Sequence, residues 1–316
     1  ERWTLSYPAA KDMDYTSAPR ATPVIAGSLV YVLGALGDLY CLDLLSGKAV
    51  WHCNLRQRFG GELPTWGFCG TPLLLGDRLI VRTASREAFL VALDPRSGKE
   101  LWRAVGVPPA YGDLIAGTFG GKRQIVGPDA KGAGGWDVAT GKRLWALRPA
   151  DDDDFNVPTP VQLGDRLLLS SEGNATRLYQ FRPGGTVDPQ PVSANEELRP
   201  DTTSPVCAEG VVWGTCYDGL FCLDAGNGLR TVWHSNHEAF RGHASLFVGN
   251  GHVLVVTQNG RLALLPGKPT PATAPQWLTV LESSGGFDPE VWSHPALVGD
   301  RLYLRSDREI VCILLR

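Results

Sequence analysis

The chain repeats one unit of about 45 residues along its length, and this repeat restricts the possible folds more than any other feature. Its clearest copy is YVLGALGDLYCLDLLSGKAVW, which runs from Tyr31 to Trp51. Two short runs of β-branched and aromatic residues are separated by a glycine-containing turn, and a second turn at Ser46 and Gly47 leads to the closing tryptophan. The unit therefore predicts strand, turn, strand, turn, strand.

Two sequence markers count the copies. The closing tryptophan returns at Trp102, Trp145 and Trp233, each time after an Asp and a turn glycine. A Thr, Ser or His followed by Pro precedes an apolar strand at Pro23, Pro72, Pro160, Pro205 and Pro295. The two longest intervals between these prolines are double, and each holds a further copy without Pro, near Leu114 and Leu246. The spacing predicts seven copies, which start near residues 21, 70, 113, 158, 203, 244 and 293.

Three copies depart from the pattern. The fourth has residues 186–200 in place of the closing motif, and the sixth ends late, at Trp277. The last copy has no terminal tryptophan, whereas the chain begins ERWTLSY, with Trp3 where that residue is missing. We therefore expect strand 1–6 to complete the last sheet and close a ring, which protects the sheet edges. The prediction is an all-β, seven-bladed β-propeller with four-stranded antiparallel blades, in one domain over residues 1–316.

The repeat resembles that of the PQQ-like, quinoprotein-type family of β-propellers, which have a WD40-like architecture. The family's tryptophan-docking motif, Leu-Asp-x-x-Thr/Ser-Gly-Lys-x-x-Trp, stands here as LDLLSGKAVW, LDPRSGKELW and WDVATGKRLW. The resemblance covers essentially the whole chain and implies the propeller fold. It also implies one of two functions, because the repeat occurs in quinone-dependent dehydrogenases and in non-catalytic extracytoplasmic scaffolds such as the outer-membrane-assembly lipoprotein. The scaffold members imply protein binding and a periplasmic location.

Composition narrows the choice of partners and compartments. The formal net charge is −3 and the isoelectric point about 6.1, so no basic surface for nucleic acid is expected. No apolar segment is long enough for a transmembrane helix, and Glu1 does not begin a signal peptide. A monomer is expected.

The seven cysteines are odd in number, so at least one is unpaired in a monomer. Cys41, Cys222 and Cys312 share a repeat position that other copies fill with Ala or Gly, which predicts small buried slots. Cys53 and Cys69 bracket one loop, and we expect both to be free. Unpaired cysteines favour the cytoplasm, so this compartment stays open beside the periplasm.

Long loops are the candidate binding surface. Tight turns are predicted at one end of the blades, and the opposite end receives the long loops 11–20, 52–68, 103–113, 147–157, 188–202, 234–243 and 282–294. Aromatic side chains interleaved with polar groups on such loops are typical of protein or ligand surfaces. The predicted contact residues are Arg20, Trp66, Tyr111 and Trp292. At the mouth of the central channel we place Asp154, Asn156, Asp201, His243 and His294.

Candidate chemistry is sparse. The aspartates Asp43, Asp94, Asp137 and Asp224 share one repeat position, which predicts a turn-forming role and no acid–base chemistry. His234, His237 and His243 with Glu238 match no common zinc signature, so no metal site is predicted. The chain also lacks a Gly-x-Ser-x-Gly elbow and a phosphate-binding Gly-Lys-Ser/Thr loop.

The quinone enzymes provide the catalytic alternative. The resemblance to them implies eight blades, an adjacent Cys-Cys disulfide and a calcium set beside PQQ, whereas this chain has seven copies and no adjacent cysteines. We therefore expect no cofactor and a non-catalytic scaffold that binds a protein or extended ligand through its long loops. Two alternatives stay open. One is a divergent PQQ-dependent dehydrogenase or other enzyme at the channel mouth, with PQQ and calcium; the other is a sensory or accessory module of a larger protein.

Overall fold

The structure of the protein, a computed structural model, describes residues 2–7, 9, 13, 20–107, 109–151, 154–281, 290–306 and 309–315. Its fold class is the predicted all-β, seven-bladed β-propeller, built from small antiparallel sheets. Contacts divide the chain into two compact units, each described separately below. The first contains Glu1–Asn156 and Phe181–Val187, and the second contains Val157–Gln180 and Asp188–Arg316. No helix in the described part of the chain is long and apolar enough to cross a membrane.

The first unit contains blades 1 to 3, each a four-stranded meander. Blade 1 consists of β1 (Val24–Ala26), β2 (Leu29–Leu33), β3 (Asp38–Asp43) and β4 (Ala49–Asn54), and helix α1 (Leu55–Phe59) follows it. Blade 2 consists of β5 (Leu73–Leu75), β6 (Arg78–Arg82), β7 (Leu90–Leu93) and β8 (Glu100–Ala104). Blade 3 consists of β9 (Ile115–Phe119), β10 (Lys122–Asp129), β11 (Gly132–Asp137) and β12 (Arg143–Leu147).

The second unit contains blades 4 to 7. Blade 4 consists of β13 (Val161–Leu163), β14 (Arg166–Ser171), β15 (Ala175–Tyr179) and β18 (Ser193–Asn195); before β18 the chain forms the hairpin β16 (Phe181–Arg182) and β17 (Thr186–Val187), which belongs to the first unit. Blade 5 consists of β19 (Val206–Ala208), β20 (Val211–Cys216), β21 (Gly219–Asp224) and β22 (Arg230–Ser235), followed by a 3₁₀ turn (Glu238–Phe240). Blade 6 consists of β23 (Ala244–Gly249), β24 (His252–Thr257), β25 (Arg261–Pro266) and β26 (Gln276–Thr279). Blade 7 consists of β27 (Ala296–Val298), β28 (Arg301–Arg305) and β29 (Ile310–Leu314).

Some middle strands of the blades are buried on both faces. All four residues of β7 and all six of β20 are buried, because side chains of neighbouring sheets cover both sides. This explains why these strands are near-continuous apolar runs in the sequence and do not alternate with polar residues. In the first unit, Tyr31, Leu39, Leu79 and Val91 belong to one such cluster.

The repeated aspartates form the turns before the closing tryptophans, as predicted. Asp43 Oδ1 accepts hydrogen bonds from the Ser46 N–H at 2.8 Å and the Ser46 hydroxyl at 2.6 Å. These bonds hold the pKa of the Asp43 carboxyl below its ordinary value, chiefly through the Ser46 hydroxyl. The equivalent N–H groups of Ser97 and Thr140 donate to Asp94 and Asp137, while Asp224 accepts from the Gly226 N–H, two residues after it.

Each of these turns in the first unit receives a tryptophan ring. The Trp51 Nε1–H donates to Pro95 O at 2.9 Å, and its ring lies over Gly98. The Trp102 ring lies over Gly141 in the same way. Because an added Cβ would come within 2.9 Å of the first ring and 2.4 Å of the second, these positions exclude larger residues.

Trp3 has the docking role predicted for the missing last tryptophan. Its Nε1–H donates to Leu44 O at 2.9 Å, and its ring lies over Gly47 in the turn of blade 1. Within the described residues, however, the last sheet has three strands and residues 2–7 are not assigned as a strand. The completion of that sheet by strand 1–6 stays a prediction, and Glu1 lies outside the described residues.

We expect Gly141→Ala to destabilise the fold more than Gly76→Ala. Both glycines have positive φ, +70° and +59°, so alanine is strained at either site by roughly 1 kcal/mol. A Cβ at Gly76 meets nothing within 4 Å, whereas one at Gly141 would lie 2.4 Å from the Trp102 ring. Urea denaturation should show an excess loss of about 1–3 kcal/mol for Gly141→Ala. Equal losses would mean that the docked ring adapts without cost.

The cysteine predictions are confirmed at four positions and wrong at one. Cys41 and Cys222 are buried, and Cys53 and Cys69 are free, as expected. Cys312 was predicted to be buried, but it is exposed. It lies on β29, which ends the order of the last sheet and exposes alternate residues.

The two irregular repeats adapt in different ways. In the first unit, Trp145 packs edge-on against Phe181 of the inserted hairpin and donates to Gln124 Oε1 at 2.6 Å. The hairpin therefore takes the place of a docking turn. In the second unit, β26 supplies the fourth strand of blade 6, where Trp277 pairs with Ala263. The late Trp277 thus serves the sixth repeat.

Candidate functional site

Three aromatic side chains meet in the first unit and form what we call the aromatic cluster: Trp66, Tyr111 and Phe155. The Trp66 ring centroid lies 4.6 Å from that of Tyr111 and 4.9 Å from that of Phe155. The Phe155 side chain is 56% exposed, so the cluster faces solvent. Trp66 and Tyr111 were predicted contact residues, and the structure brings them together. Phe155 was not singled out, because a single Phe after an acidic run gives no signal of its neighbours.

Asn156 connects the loops that carry this cluster. Its Nδ2 donates to Asp129 O at 3.3 Å and to Asp154 O at 3.0 Å, while its own carbonyl accepts from the Gly112 N–H at 3.2 Å. Asn156 has φ of +52°, a conformation that Asn tolerates better than most residues. Asn156 and the main chain of Asp154 therefore position Phe155 and Tyr111.

A buried carboxylate lies beneath these loops. The Asp129 side chain is fully buried and accepts from Arg143 Nη2 at 2.7 Å and Arg148 Nη1 at 3.0 Å. The Lys131 N–H also donates to it, at 3.0 Å. Sequence reasoning missed this group, because GPDAKG has the composition of a solvent-exposed turn.

A recess next to the aromatic cluster contains a buried cation. Its lining includes Arg82, Cys69, Gly70, Phe68 and the cluster residue Tyr111. Arg82 is only 8% exposed, and its Nη1 donates to Ala110 O at 3.0 Å. A Cβ on Gly70 would lie 2.3 Å from Arg82 Nη2, so glycine leaves room for the guanidinium.

Two further charged groups lie near Arg82. Asp113 accepts from the Thr71 N–H at 2.7 Å and attracts the Arg82 charge. Arg20, a predicted contact residue, lies close enough to Cys69 to affect the pKa of its thiol, which donates to Trp66 O at 3.2 Å. Burial raises the pKa of the Cys69 thiol, while Arg20 and Arg82 oppose that rise.

The second unit holds a separate group of predicted residues, which we call the histidine cluster: His243, Trp292, His294 and Ser245. The His243 ring stacks on Trp292 at 5.4 Å and lies 6.1 Å from the His294 ring. Ser245 Oγ lies 3.0 Å from His294 Nδ1. His243 is only 9% exposed, and neither ring nitrogen has a hydrogen-bond partner among the described residues. Burial, helped by His294, lowers the pKa of His243 to about 4, so the ring is neutral near pH 7.

One predicted residue, Asp201, belongs to the second unit and has a local partner. Asp201 accepts from the Tyr217 hydroxyl at 2.9 Å. The structure places Arg20, Trp66, Tyr111, Asp154 and Asn156 in the first unit and Asp201, His243, Trp292 and His294 in the second. Their action as one surface stays a prediction.

The described part of the chain has no group of three or more His, Cys, Asp or Glu side chains that could hold a metal ion. His234 and His237 have local partners in the second unit. His234 Nε2 lies 2.8 Å from Asp218 O, and His237 Nδ1 accepts from the Ala239 N–H at 3.2 Å.

Comparison with known families identifies the repeat. The family model described as outer membrane protein assembly factor BamB matches residues 1–235 and 88–315, two overlapping stretches that together cover nearly the whole chain. The chain belongs to the BamB family. Its resemblance to PQQ-like propellers is thereby confirmed.

Relatives include both scaffolds and enzymes. BamB of Bordetella pertussis is 22% identical over 255 residues, which cover 76% of this chain and 59% of that protein. Quinohemoprotein alcohol dehydrogenase ADH IIB of Pseudomonas putida is 24% identical over 294 residues, which cover 86% of this chain and 37% of that protein. The crystal structure of BamB from Moraxella catarrhalis has a TM-score of 0.63 at 18% identity and matches 90% of this chain and 79% of that one, which shows a shared fold. The match with the Bordetella protein thus spans under two thirds of that relative's length.

Proposed function

We propose that the chain is a non-catalytic, extracytoplasmic scaffold that binds a partner protein through the aromatic cluster. The main support for this proposal is the contact of Trp66 with both Tyr111 and Phe155 at a solvent-facing site. Aromatic side chains dominate the binding energy of protein interfaces, because they bury large areas with few rotatable bonds.

The hydrogen bonds that hold the loops of the aromatic cluster in place favour binding. Asn156 joins two of the loops, and its hydrogen bond to Asp129 O attaches them to blade 3. A loop that is already ordered loses little conformational entropy when a partner docks. The names of the BamB relatives agree with an outer-membrane assembly role and an extracytoplasmic location.

A photo-crosslinking amino acid at Phe155 tests this proposal in cells that make the protein. We expect a covalent adduct with an integral outer-membrane protein, and Trp66→Ala should reduce its yield by about tenfold or more, as for a central interface residue. The same crosslinker at Leu45, which is 70% exposed in a docking turn, is the matched control. Comparable adducts at Leu45 and Phe155, or an adduct that survives Trp66→Ala in a folded protein, would contradict the assignment.

The dehydrogenase alternative is favoured by the relatives that are quinoproteins. It predicts saturable binding of PQQ with calcium, which a titration followed by tryptophan fluorescence measures.

A further inference from the structure

The indole N–H of Trp66 is an unused hydrogen-bond donor in the middle of the aromatic cluster. Trp66 occupies the third position of a tight turn, which the Gly67 N–H closes by donating to Pro64 O at 2.8 Å. Its Nε1–H has no partner among the described residues, and it is accessible to solvent. The docking residues Trp3 and Trp51, by contrast, both donate to main-chain oxygens at 2.9 Å. A ligand can therefore bond to the Trp66 indole without breaking a bond inside the protein.

Main-chain oxygens around the cluster are, in contrast, already engaged. Each of the following accepts a hydrogen bond from another residue of the protein: Pro64 O, Trp66 O, Ala110 O, Asp154 O and Asn156 O. A ligand N–H group placed over them would give up its hydrogen bond to water without a replacement, which is unfavourable. The polar part of this site thus favours a ligand that has free carbonyl oxygens and few N–H groups.

A proline-containing segment in the polyproline II conformation has this combination. Its backbone makes no internal hydrogen bonds, so its carbonyl oxygens are free to accept, and each proline lacks an N–H group. An α-helix uses its carbonyl groups within itself, and a β-strand presents N–H groups as well as oxygens. Because proline fixes its own backbone angle, such a segment also loses little conformational freedom on binding.

The arrangement of the rings suits the same ligand. The plane of the Trp66 ring is inclined by 51° to that of Tyr111 and by 49° to that of Phe155. Tilted rings give the cluster an uneven apolar surface, against which pyrrolidine rings pack in proline-binding domains. The two centroid distances, 4.6 and 4.9 Å, together reach about as far as one turn of a polyproline II helix, roughly 9 Å. One turn of such a segment can therefore contact all three rings.

We propose that the aromatic cluster binds a proline-containing segment of the partner protein in the polyproline II conformation. A carbonyl oxygen of this segment accepts from the Trp66 Nε1–H, and its proline rings pack on Trp66, Tyr111 and Phe155. The inference rests on the proposed function and specifies the kind of segment that the partner presents.

An NMR titration of the full chain with synthetic decaproline tests this binding mode. Decaproline forms a polyproline II helix without a partner and has almost no N–H groups. We expect one of the ten indole N–H signals to shift in a saturable manner, and Trp66→Phe should remove that signal. A decapeptide of alternating Ala and Gln is the matched probe, because it is flexible and carries N–H groups throughout. It should bind about tenfold more weakly than decaproline.

Variants separate the hydrogen bond from the packing of the rings. Trp66→Phe keeps an aromatic ring but has no N–H group, so its affinity for fluorescent decaproline should fall by about fivefold. Phe155→Ala removes one exposed ring and leaves the indole donor in place, so it should weaken binding while the indole signal of Trp66 still shifts. Trp292→Phe, at an exposed tryptophan of the second unit, is the matched control and should change nothing.

The outcomes distinguish this inference from the proposed function. Equal affinity for decaproline and the Ala-Gln peptide, or full affinity in Trp66→Phe, would overturn the polyproline II assignment. In either case, a Trp66-dependent crosslink from Phe155 would leave the scaffold proposal intact. Absence of decaproline binding together with absence of the crosslink would remove both proposals.

Discussion

Acidification from pH 7.5 to pH 4 should lower the free energy of unfolding by about 3 kcal/mol through His243 alone. Burial holds the pKa of His243 at about 4 in the folded protein, against an ordinary value of 6.5. The unfolded chain therefore binds a proton first as pH falls. The free energy of unfolding is therefore unaffected by the protonation of His243 above about pH 6.5. It declines progressively between pH 6.5 and pH 4, where the folded ring also becomes protonated.

Urea denaturation at several pH values between 7.5 and 4.5 measures this effect. The His243→Gln variant does not titrate at this position, so its stability should fall much less steeply with pH over this range. The comparison uses the slope of the unfolding free energy against pH, because this slope does not include a constant loss of stability caused by the substitution itself. His252→Gln, at an exposed histidine of the second unit, should keep the steep decline. Identical slopes for the wild-type protein and His243→Gln would show that the ring is not held neutral.

The second large effect is expected from Asp129→Ala, which should cost about 3–5 kcal/mol. The substitution leaves Arg143 and Arg148 without the carboxylate that they share and removes the acceptor of the Lys131 N–H. Asp129→Asn keeps the shape and one acceptor, so its loss should be smaller. The loss is measured by chemical denaturation near pH 7.

Asp77→Ala is the matched control for this prediction. Asp77 also pairs with an arginine, Arg78, but its side chain is 76% exposed. Such exposed pairs contribute roughly 0–1 kcal/mol. If Asp129→Ala and Asp77→Ala cost the same, the buried ion pairs of blade 3 do not stabilise the fold. We also expect Asp129→Ala to reduce crosslinking from Phe155, since Asn156 is attached to the Asp129 main chain.

The fold could be predicted because the information that specifies it is local and repeated. Each copy carries its own turn aspartate and docking tryptophan, so Asp43 and Trp51 could be assigned by comparison with other copies. Trp3 was recognised in the same way. Cys312 shows the limit of this reasoning, because a repeat position predicts burial only where a neighbouring sheet covers the strand.

The candidate site was less predictable, because its properties arise from neighbours that are distant in sequence. Trp66 and Tyr111 were found as aromatic loop residues. Arg82 ends the short strand β6 and has the pattern of a solvent-facing residue. The loops that carry Gly70 and Ala110 lie against it, and both are distant from it in sequence. The place of His243 at the channel mouth stays a prediction, and the sequence did not indicate that its ring is buried and stacked on Trp292.

The tryptophan-to-turn contacts also affect how the chain folds. Each sheet pairs strands that are adjacent in sequence, apart from the hairpin inserted in blade 4, so strand pairing closes only short loops and a blade can form early. Trp51, however, reaches its acceptor Pro95 only when 44 further residues are available. During synthesis, the growing end of the first unit therefore exposes an indole ring until the next turn arrives. Successive blades would protect these rings in order from the N-terminus, and a stalled chain would end in an exposed aromatic surface that favours aggregation.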